Sequence, residues 1–244
     1  MNSTITFATT RRILTQLRHD PRTVVLLIAV PSLLMTLLRY VLNSERTFNT
    51  IAPALLGIFP FTIMFLLTSI TTLRERTTGT FERLMTLPIG KLDLLFGYAV
   101  AFGLLATFQV LVAAGISLTW LGLDIAGSVW TLLVIVVLDA LLGTALGLFV
   151  SAFARTEFQA IQFLPIFVLP QFLLCGLIVP RGQMGWLLRA LSDVLPLSYA
   201  VDALTHVTRS AAIDGTLVRN VAIIAGCAVL ALLLGAATLR RRTP

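Results

Sequence analysis

Asp139 is the side chain most able to do chemistry of its own, because it is the only acid well inside a long apolar run. A charged residue at the centre of a bilayer costs roughly 2.5–3.5 kcal/mol on insertion scales, so we expect Asp139 to be neutral or paired. It would serve in proton or cation handling, or else as a hydrogen-bonded packing residue. Gly143, Gly147 and Ser151 follow it at intervals of four and predict a stripe that faces another helix, which favours packing.

Enzymatic chemistry finds little support in the other side chains. The sequence has no H-E-x-x-H motif and no second intramembrane acid to complete a carboxylate dyad. Its two histidines, His19 and His206, fall outside the apolar runs, and its two cysteines, Cys175 and Cys227, lie inside them without the spacing of a metal site. No Walker A motif is present either, so we expect no enzymatic activity, no metal and no cofactor in this chain.

A charged segment at residues 74–88 carries the other candidate function. Within it, Thr80 is able to cap a helix, and Glu82 falls near the first turn, where an anion suits the helix dipole. Three apolar residues then share one face by i, i+3, i+4 spacing: Phe81, Leu84 and Met85. The pattern predicts a short amphipathic helix that can dock in a groove of a soluble partner; the alternative is a solvated connector.

The composition requires that these residues be positioned by membrane-spanning helices. Of 244 residues, 57% are hydrophobic and 12% charged, against about 25% charged in soluble domains. Six apolar runs are long enough to cross a bilayer: 23–42, 51–73, 96–121, 129–153, 158–179 and 217–239. The net charge of +7 is spread between these runs, which favours a membrane surface over nucleic acid as the partner of the basic residues. We therefore predict one multi-pass domain over residues 1–244.

The distribution of basic residues predicts the orientation. Six spans put both termini on one side, and that side carries twelve of the Lys and Arg residues, against six on the other. By the positive-inside rule we expect both termini in the cytoplasm and the protein in the plasma or inner membrane.

Two further segments are predicted to lie at the membrane surface. Residues 1–22 predict an interfacial helix, with apolar residues such as Ile13 and Leu17 in lipid and arginines such as Arg12 among phosphates; a disordered basic tail is the alternative. Residues 180–216 form a long apolar connection, for which we predict two short helices that dip partway into the membrane.

Two segments resemble a known family. Residues 74–95 are similar to the loop between the second and third helices of ABC type-2 transporter permeases, where an Arg/Glu-rich stretch and Gly-Thr-x-Glu-x-Leu lead through a Pro into the third helix. Residues 195–204, Leu-Pro-Leu-Ser-Tyr-Ala-Val-Asp-Ala-Leu, resemble the outer segment before the last helix in the drug-exporter branch. Thr205 and His206 stand where that branch often has an Arg. With the basic amphipathic start and the six spans, the resemblance covers essentially the whole chain.

The resemblance implies a fold and a mechanism. The fold is an all-α membrane protein with six transmembrane helices, an N-terminal interfacial helix, a cytoplasmic coupling helix between helices 2 and 3, and outer re-entrant helices between helices 5 and 6. Two permease subunits, expected to be identical, pair above two ABC ATPase subunits, which bind the ATP and Mg; a heterodimer is the alternative. The coupling helix transmits nucleotide-driven closure to the spans. The implied coupling positions are Glu75, Gly79, Thr80, Glu82 and Leu84.

The resemblance also implies a substrate pathway along the second and fifth helices at the dimer interface. The candidates there are Phe61, Phe65, Gln162 and Gln171. The alternatives are lipid-facing or packed phenylalanines and glutamines that hydrogen-bond between helices. In a straight helix the two glutamines fall on opposite faces, unless the intervening prolines break it.

The resulting hypothesis is the permease subunit of an ABC exporter that moves a hydrophobic or amphipathic, drug-like compound out of the cell. Export of a lipid or polysaccharide is the main alternative. An ion-driven carrier that uses Asp139 is a further one, although such carriers usually show more intramembrane charge and paired half-repeats.

Overall fold

The computed structural model of the chain describes residues 3–79 and 90–238. Within these ranges the chain is helical, with one short 3-10 turn and no strand, which confirms the predicted all-α fold. The helices are α1 (Ser3–Arg18), α2 (Pro21–Leu42), α3 (Glu45–Thr77), α4 (Lys91–Thr119), α5 (Val129–Val150), α6 (Glu157–Leu174), α7 (Trp186–Val194), α8 (Pro196–Arg209) and α9 (Gly215–Thr238).

Six of these helices are long and apolar enough to cross a membrane, as predicted. In the described part of the chain they are α2, α3, the Phe96–Thr119 part of α4, α5, α6 and α9. The connections after α2, α4 and α6 consequently lie at one end of the bundle. The connections after α3 and α5 lie at the other end, beside α1.

A capping hydrogen bond at one helix end and a left-handed glycine after another explain why the helices do not match the apolar runs. Ser44 caps α3 by accepting from the Thr47 backbone N–H, so the helix starts at Glu45, six residues before the run. At the other end of the bundle α3 continues to Thr77. The helix α6 ends at Leu174, five residues before its run does, and Gly176 follows with a φ of +94°.

The helix α3 is the central element of the bundle. Its 33 residues span about 50 Å at 1.5 Å per residue, which is longer than a hydrocarbon core of about 30 Å. It packs most extensively on α5 and also contacts α2, α4, α6 and α8. A helix of this length carries residues near its end, such as Arg74 and Glu75, beyond the apolar core of the bundle.

The N-terminal helix differs from its prediction in what it contacts. The helix α1 is present, but Ile13 and Leu17 are buried in the protein core rather than turned toward lipid. Arg12 faces the bundle, where it hydrogen-bonds to protein groups instead of phosphates. Both expectations were wrong for these residues because α1 packs on the start of α4.

The connection between α6 and α9 contains two helices, α7 and α8, as its sequence predicts. How deeply they enter a membrane stays a prediction. Hydrogen bonds from the Ala126 and Gly127 backbone N–H groups to the carbonyls of Thr208 and Val207 tie the end of α8 to the connection between α4 and α5.

Candidate functional site

The predicted coupling segment begins where α3 ends. Thr78 closes the last turn by donating its backbone N–H to the Arg74 carbonyl, and Gly79 follows in the left-handed conformation with a φ of +71°. A glycine at this position is the usual way for a helix to stop, because a Cβ disfavours this backbone conformation. Thr80, Glu82 and Leu84 lie outside the described residues, so their coupling role stays a prediction.

Two adjacent residues on the last turns of α3 bind two different helices. Glu75 is buried and accepts a hydrogen bond from Arg12 of α1 over 3.0 Å. Arg74 is exposed and makes two hydrogen bonds to Glu157 at the start of α6, Nε–Oε1 of 2.6 Å and Nη2–Oε2 of 3.0 Å. Because successive residues of a helix point about 100° apart, this one turn of α3 holds α1 on one side and α6 on the other.

Tyr98 of α4 adds a fourth helix to this cluster, beside α1, α3 and α6. Arg12 donates to the Tyr98 hydroxyl over 2.8 Å, and its guanidinium lies 5.9 Å from the centre of the Tyr98 ring. Arg12, Arg74, Glu75, Tyr98 and Glu157 together form what we term the coupling root. The coupling root connects the two helices that flank the predicted coupling segment, α3 and α4, with α1 and α6.

Close packing holds α1 in place against α4. Gly97 faces α1 so closely that a Cβ there would come within 2.6 Å of the Thr9 Cβ. Thr10 is buried and donates to the Gly97 carbonyl over 3.1 Å. These contacts hold α1 closely against the start of α4.

Sequence reasoning named Glu75 but assigned Arg12 to lipid phosphates, and it missed Tyr98 and the Arg74–Glu157 pair. The Arg12–Glu75 contact joins residues 63 positions apart, for which one sequence carries no local signal. A signal for the docking of α1 was present. Thr6, Thr10, Ile13 and Leu17 recur at intervals of four, three and four, a stripe of small and apolar residues that suits a protein neighbour.

The stripe that begins at Asp139 lies against α3. A Cβ on Gly143 would collide with the Phe61 carbonyl, and one on Gly147 would collide with the Phe65 carbonyl and the Thr68 hydroxyl. Both glycines therefore allow the backbones of α3 and α5 to touch. Asp139 itself is fully buried, with Oδ2 3.2 Å from the point where a Cβ on Gly57 of α3 would lie. Neither carboxylate oxygen has a hydrogen-bond partner among the described residues.

The four pathway candidates fall in different environments. Phe61 and Phe65 are fully buried inside the chain, and the Phe65 ring lies 6.5 Å from that of Phe167 on α6. Gln171 is buried too. Its amide donates to the Phe167 carbonyl over 2.9 Å and its oxygen accepts from the Leu197 backbone N–H over 3.4 Å.

Gln162 is exposed, and α6 runs unbroken past Pro165 and Pro170. Of the four candidates, only Gln162 is thus on the surface of this chain. A pathway role for any of them stays a prediction.

At the other end of the bundle, one arginine fastens α7 to α8. Arg181 pairs with Asp193 at the end of α7 and with Asp202 on α8, and its guanidinium lies 5.2 Å from the centre of the Tyr199 ring. Burial lowers the pKa of Arg181, but the Asp202 and Asp193 carboxylates outweigh burial and raise that pKa above its ordinary value. Arg181 is therefore held firmly in its charged form.

The residues of this bundle match one protein family. The model of the ABC-2 type transporter family matches residues 4–208, which include the coupling root, the Asp139 stripe, α7 and nearly all of α8. The chain belongs to the ABC-2 type transporter family. The resemblance of the two segments at residues 74–95 and 195–204 is thereby confirmed at the level of the family.

Curated relatives of this ABC-2 chain are named as permeases. It is 30% identical over 181 residues to the probable multidrug ABC transporter permease YbhS of Escherichia coli K12, covering 74% of this chain and 48% of the relative. It is 27% identical over 152 residues to the probable multidrug ABC transporter permease YbhR of the same organism, covering 62% of this chain and 41% of the relative. The linearmycin resistance permease protein LnrN of Bacillus subtilis is 25% identical over 157 residues, covering 62% of this chain and 40% of the relative. The chain thus spans less than half the length of these relatives.

Proposed function

We propose that this chain is the membrane-spanning permease subunit of an ABC exporter. It would move a hydrophobic or amphipathic, drug-like compound out of the cell, driven by ATP hydrolysis on two separate ATPase subunits. A second permease, identical or different, would complete the pathway. The names of the relatives, two multidrug permeases and one linearmycin resistance permease, support this substrate class.

The coupling root is the observation that carries the proposal. A partner that binds the segment after Gly79 would pull on the end of α3, and the Arg12 and Glu157 contacts would pass that pull to α1 and α6. Both contacts are hydrogen-bonded ion pairs, which fix the relative orientation of the two side chains better than apolar contacts do.

The orientation follows from charge. On the sequence, twelve of the eighteen Lys and Arg residues are predicted on the side of the termini, so the end of the bundle that carries the coupling root would face the cytoplasm, where an ATPase could reach it. Single-cysteine labelling from each side of the membrane tests this orientation. A cysteine at Thr78, exposed beside the coupling segment, should react only from the cytoplasm, and one at Arg209 only from outside.

The experiment that tests the whole proposal is co-purification followed by a transport assay. We expect the tagged chain, co-expressed with the ATPase encoded beside its gene, to elute with equal amounts of ATPase at a mass of two copies of each. In proteoliposomes the complex should move a fluorescent amphipathic compound only when ATP is hydrolysed. A chain that elutes alone, or transport that follows an ion gradient without ATP, would refute the proposal. Movement of only a lipid or polysaccharide would retain the ATPase partnership and replace the substrate class.

A further inference from the structure

A cavity of about 590 Å³ opens at the end of the bundle opposite the coupling root. It lies between α7, α8 and the first turns of α9. We term it the arginine cavity, because Arg181, Arg189 and Arg219 line it together with Asp193 and Asp202. Nothing in the proposed transport mechanism uses these residues, so the cavity needs a separate explanation.

The charges in the arginine cavity do not balance. Arg181 is engaged by both carboxylates, Asp193 and Asp202. Arg189 and Arg219 are exposed, and neither forms an ion pair within 4.0 Å among the described residues, although Arg219 acts on Asp202 at longer range. Three guanidinium groups against two carboxylates leave one positive charge in excess. A guanidinium without a partner presents a fork of N–H donors that fits phosphate or carboxylate oxygens.

The side-chain pattern of α7 favours a position at the depth of lipid headgroups for this cavity. Leu187, Leu188, Leu191 and Val194 cover one side of α7 and are exposed, whereas Arg189 lies on the opposite side and lines the cavity, and the exposed Trp186 begins the helix. A short helix with an apolar face and a tryptophan is typical of the membrane interface, where the apolar side enters the acyl region. Arg189 is then level with the phosphates.

We propose that the arginine cavity binds the headgroup of an anionic phospholipid, with its phosphate between Arg189 and Arg219. Charge-assisted hydrogen bonds from guanidinium groups to phosphate oxygens are among the stronger polar contacts in proteins. The excess of one positive charge matches a headgroup such as phosphatidylglycerol, which carries one negative charge, better than a zwitterionic one. The acyl chains would lie along the exposed apolar side of α7. This inference does not depend on the proposed export function.

Native mass spectrometry of the full-length chain in mild detergent tests the proposal. The delipidated protein is mixed with equal amounts of phosphatidylglycerol and phosphatidylcholine, and the adducts are counted. We expect more phosphatidylglycerol than phosphatidylcholine adducts, and the ratio of the two is the preference compared between variants. In the Arg189→Gln/Arg219→Gln double variant that preference should fall by about fivefold for each arginine removed. Glycerol 3-phosphate, which has the phosphate without acyl chains, should not displace the lipid at equal concentration.

The matched control is Arg46→Gln, which removes one exposed arginine at the same end of the bundle but outside the arginine cavity. It should keep the full preference. Retention of the preference in the double variant, or equal loss in the Arg46→Gln control, would overturn the proposal. Binding of glycerol 3-phosphate as tight as that of the lipid would overturn it as well, because the site would then take a free phosphate. The Arg189→Lys/Arg219→Lys variant keeps both positive charges and should retain most of the preference. Its retention would show that the loss in the Gln variant comes from the lost charge and not from misfolding.

Discussion

Arg12 of α1 donates a hydrogen bond to Glu75 near the end of α3, across 63 residues of sequence, and this contact lies at the start of the segment that would meet an ATPase. The Glu75 side chain is only 9% exposed, so its carboxylate depends on Arg12 for neutralisation. If an ATPase binds the segment after Gly79 as proposed, the N-terminal helix would take part in the coupling through this contact.

Replacing Glu75 by Gln should weaken coupling more than assembly. The change leaves the Arg12 charge without its partner and should cost about 1–3 kcal/mol of the stability of this contact. We expect the complex with the ATPase to assemble while the amount of compound transported per ATP hydrolysed falls several-fold. Arg11→Gln, on the exposed side of the same helix, is the matched control. Unchanged transport per ATP in Glu75→Gln would contradict a role for this pair.

Glu82→Ala tests the predicted coupling helix itself. Its sequence context predicts that Glu82 favours the first turn of a helix that binds the ATPase, so the variant should assemble and hydrolyse ATP but transport poorly. Co-purification, ATPase rate and transport are measured on the same preparation. Normal transport by this variant would remove Glu82 from the coupling positions.

Gly143→Ala should destabilise the bundle, because the added Cβ would collide with the Phe61 carbonyl on α3. Overpacking of this kind typically costs about 1–3 kcal/mol. Thermal unfolding in detergent provides the measurement. Gly115→Ala is the control, since a Cβ there meets nothing within 4 Å, and its melting temperature should stay the same or rise slightly. Equal melting temperatures for the two variants would show that α3 and α5 are not in backbone contact.

Asp139→Asn separates an ATP-driven exporter from an ion-driven carrier. The side chain is fully buried with no hydrogen-bond partner among the described residues, and Asn has nearly the same shape. In an ATP-driven exporter we therefore expect transport in proteoliposomes to stay close to that of the unmodified chain. A carrier that moves protons through Asp139 would lose transport completely, and that result would favour the ion-driven alternative.

Arg181→Gln should loosen the connection between α6 and α9. It leaves Asp193 and Asp202 without their shared cation and removes the contact with the Tyr199 ring, at a cost of about 1–3 kcal/mol. Hydrogen exchange over residues 181–209 should become faster, whereas exchange in α5 should not change. Arg209→Gln, an exposed arginine at the end of α8, should leave both regions as they are. Exchange over residues 181–209 that is as slow in Arg181→Gln as in the unmodified chain would show that apolar contacts alone hold this connection in place.

The sequence predicts those parts of the fold that bilayer thickness controls. The six spans could be recognised from apolar length alone, and the amphipathic spacing of residues 1–22 indicated a helix. Helix ends such as Glu45 and Leu174 differ from the apolar runs because Ser44 caps one and Gly176 follows the other, and hydropathy does not register either effect. Partners such as Arg12 with Glu75, or Arg74 with Glu157, could not be predicted. They depend on how separate helices dock, and a single sequence does not record that.

The fit of Gly143 and Gly147 against the carbonyls of α3 has a consequence for how the bundle can open. Helices whose backbones touch cannot slide past each other without first separating, so α3 and α5 should travel as one rigid body. By contrast, only 17% of the apolar stretch of α6 and 22% of that of α2 are buried within this chain, against 61% for α3 and for α5, so α6 and α2 are the spans that the rest of the chain covers least. Opening and closing of the bundle would then move α6 relative to α3 and α5. The Arg74–Glu157 pair would keep the start of α6 attached to the end of α3 during this movement.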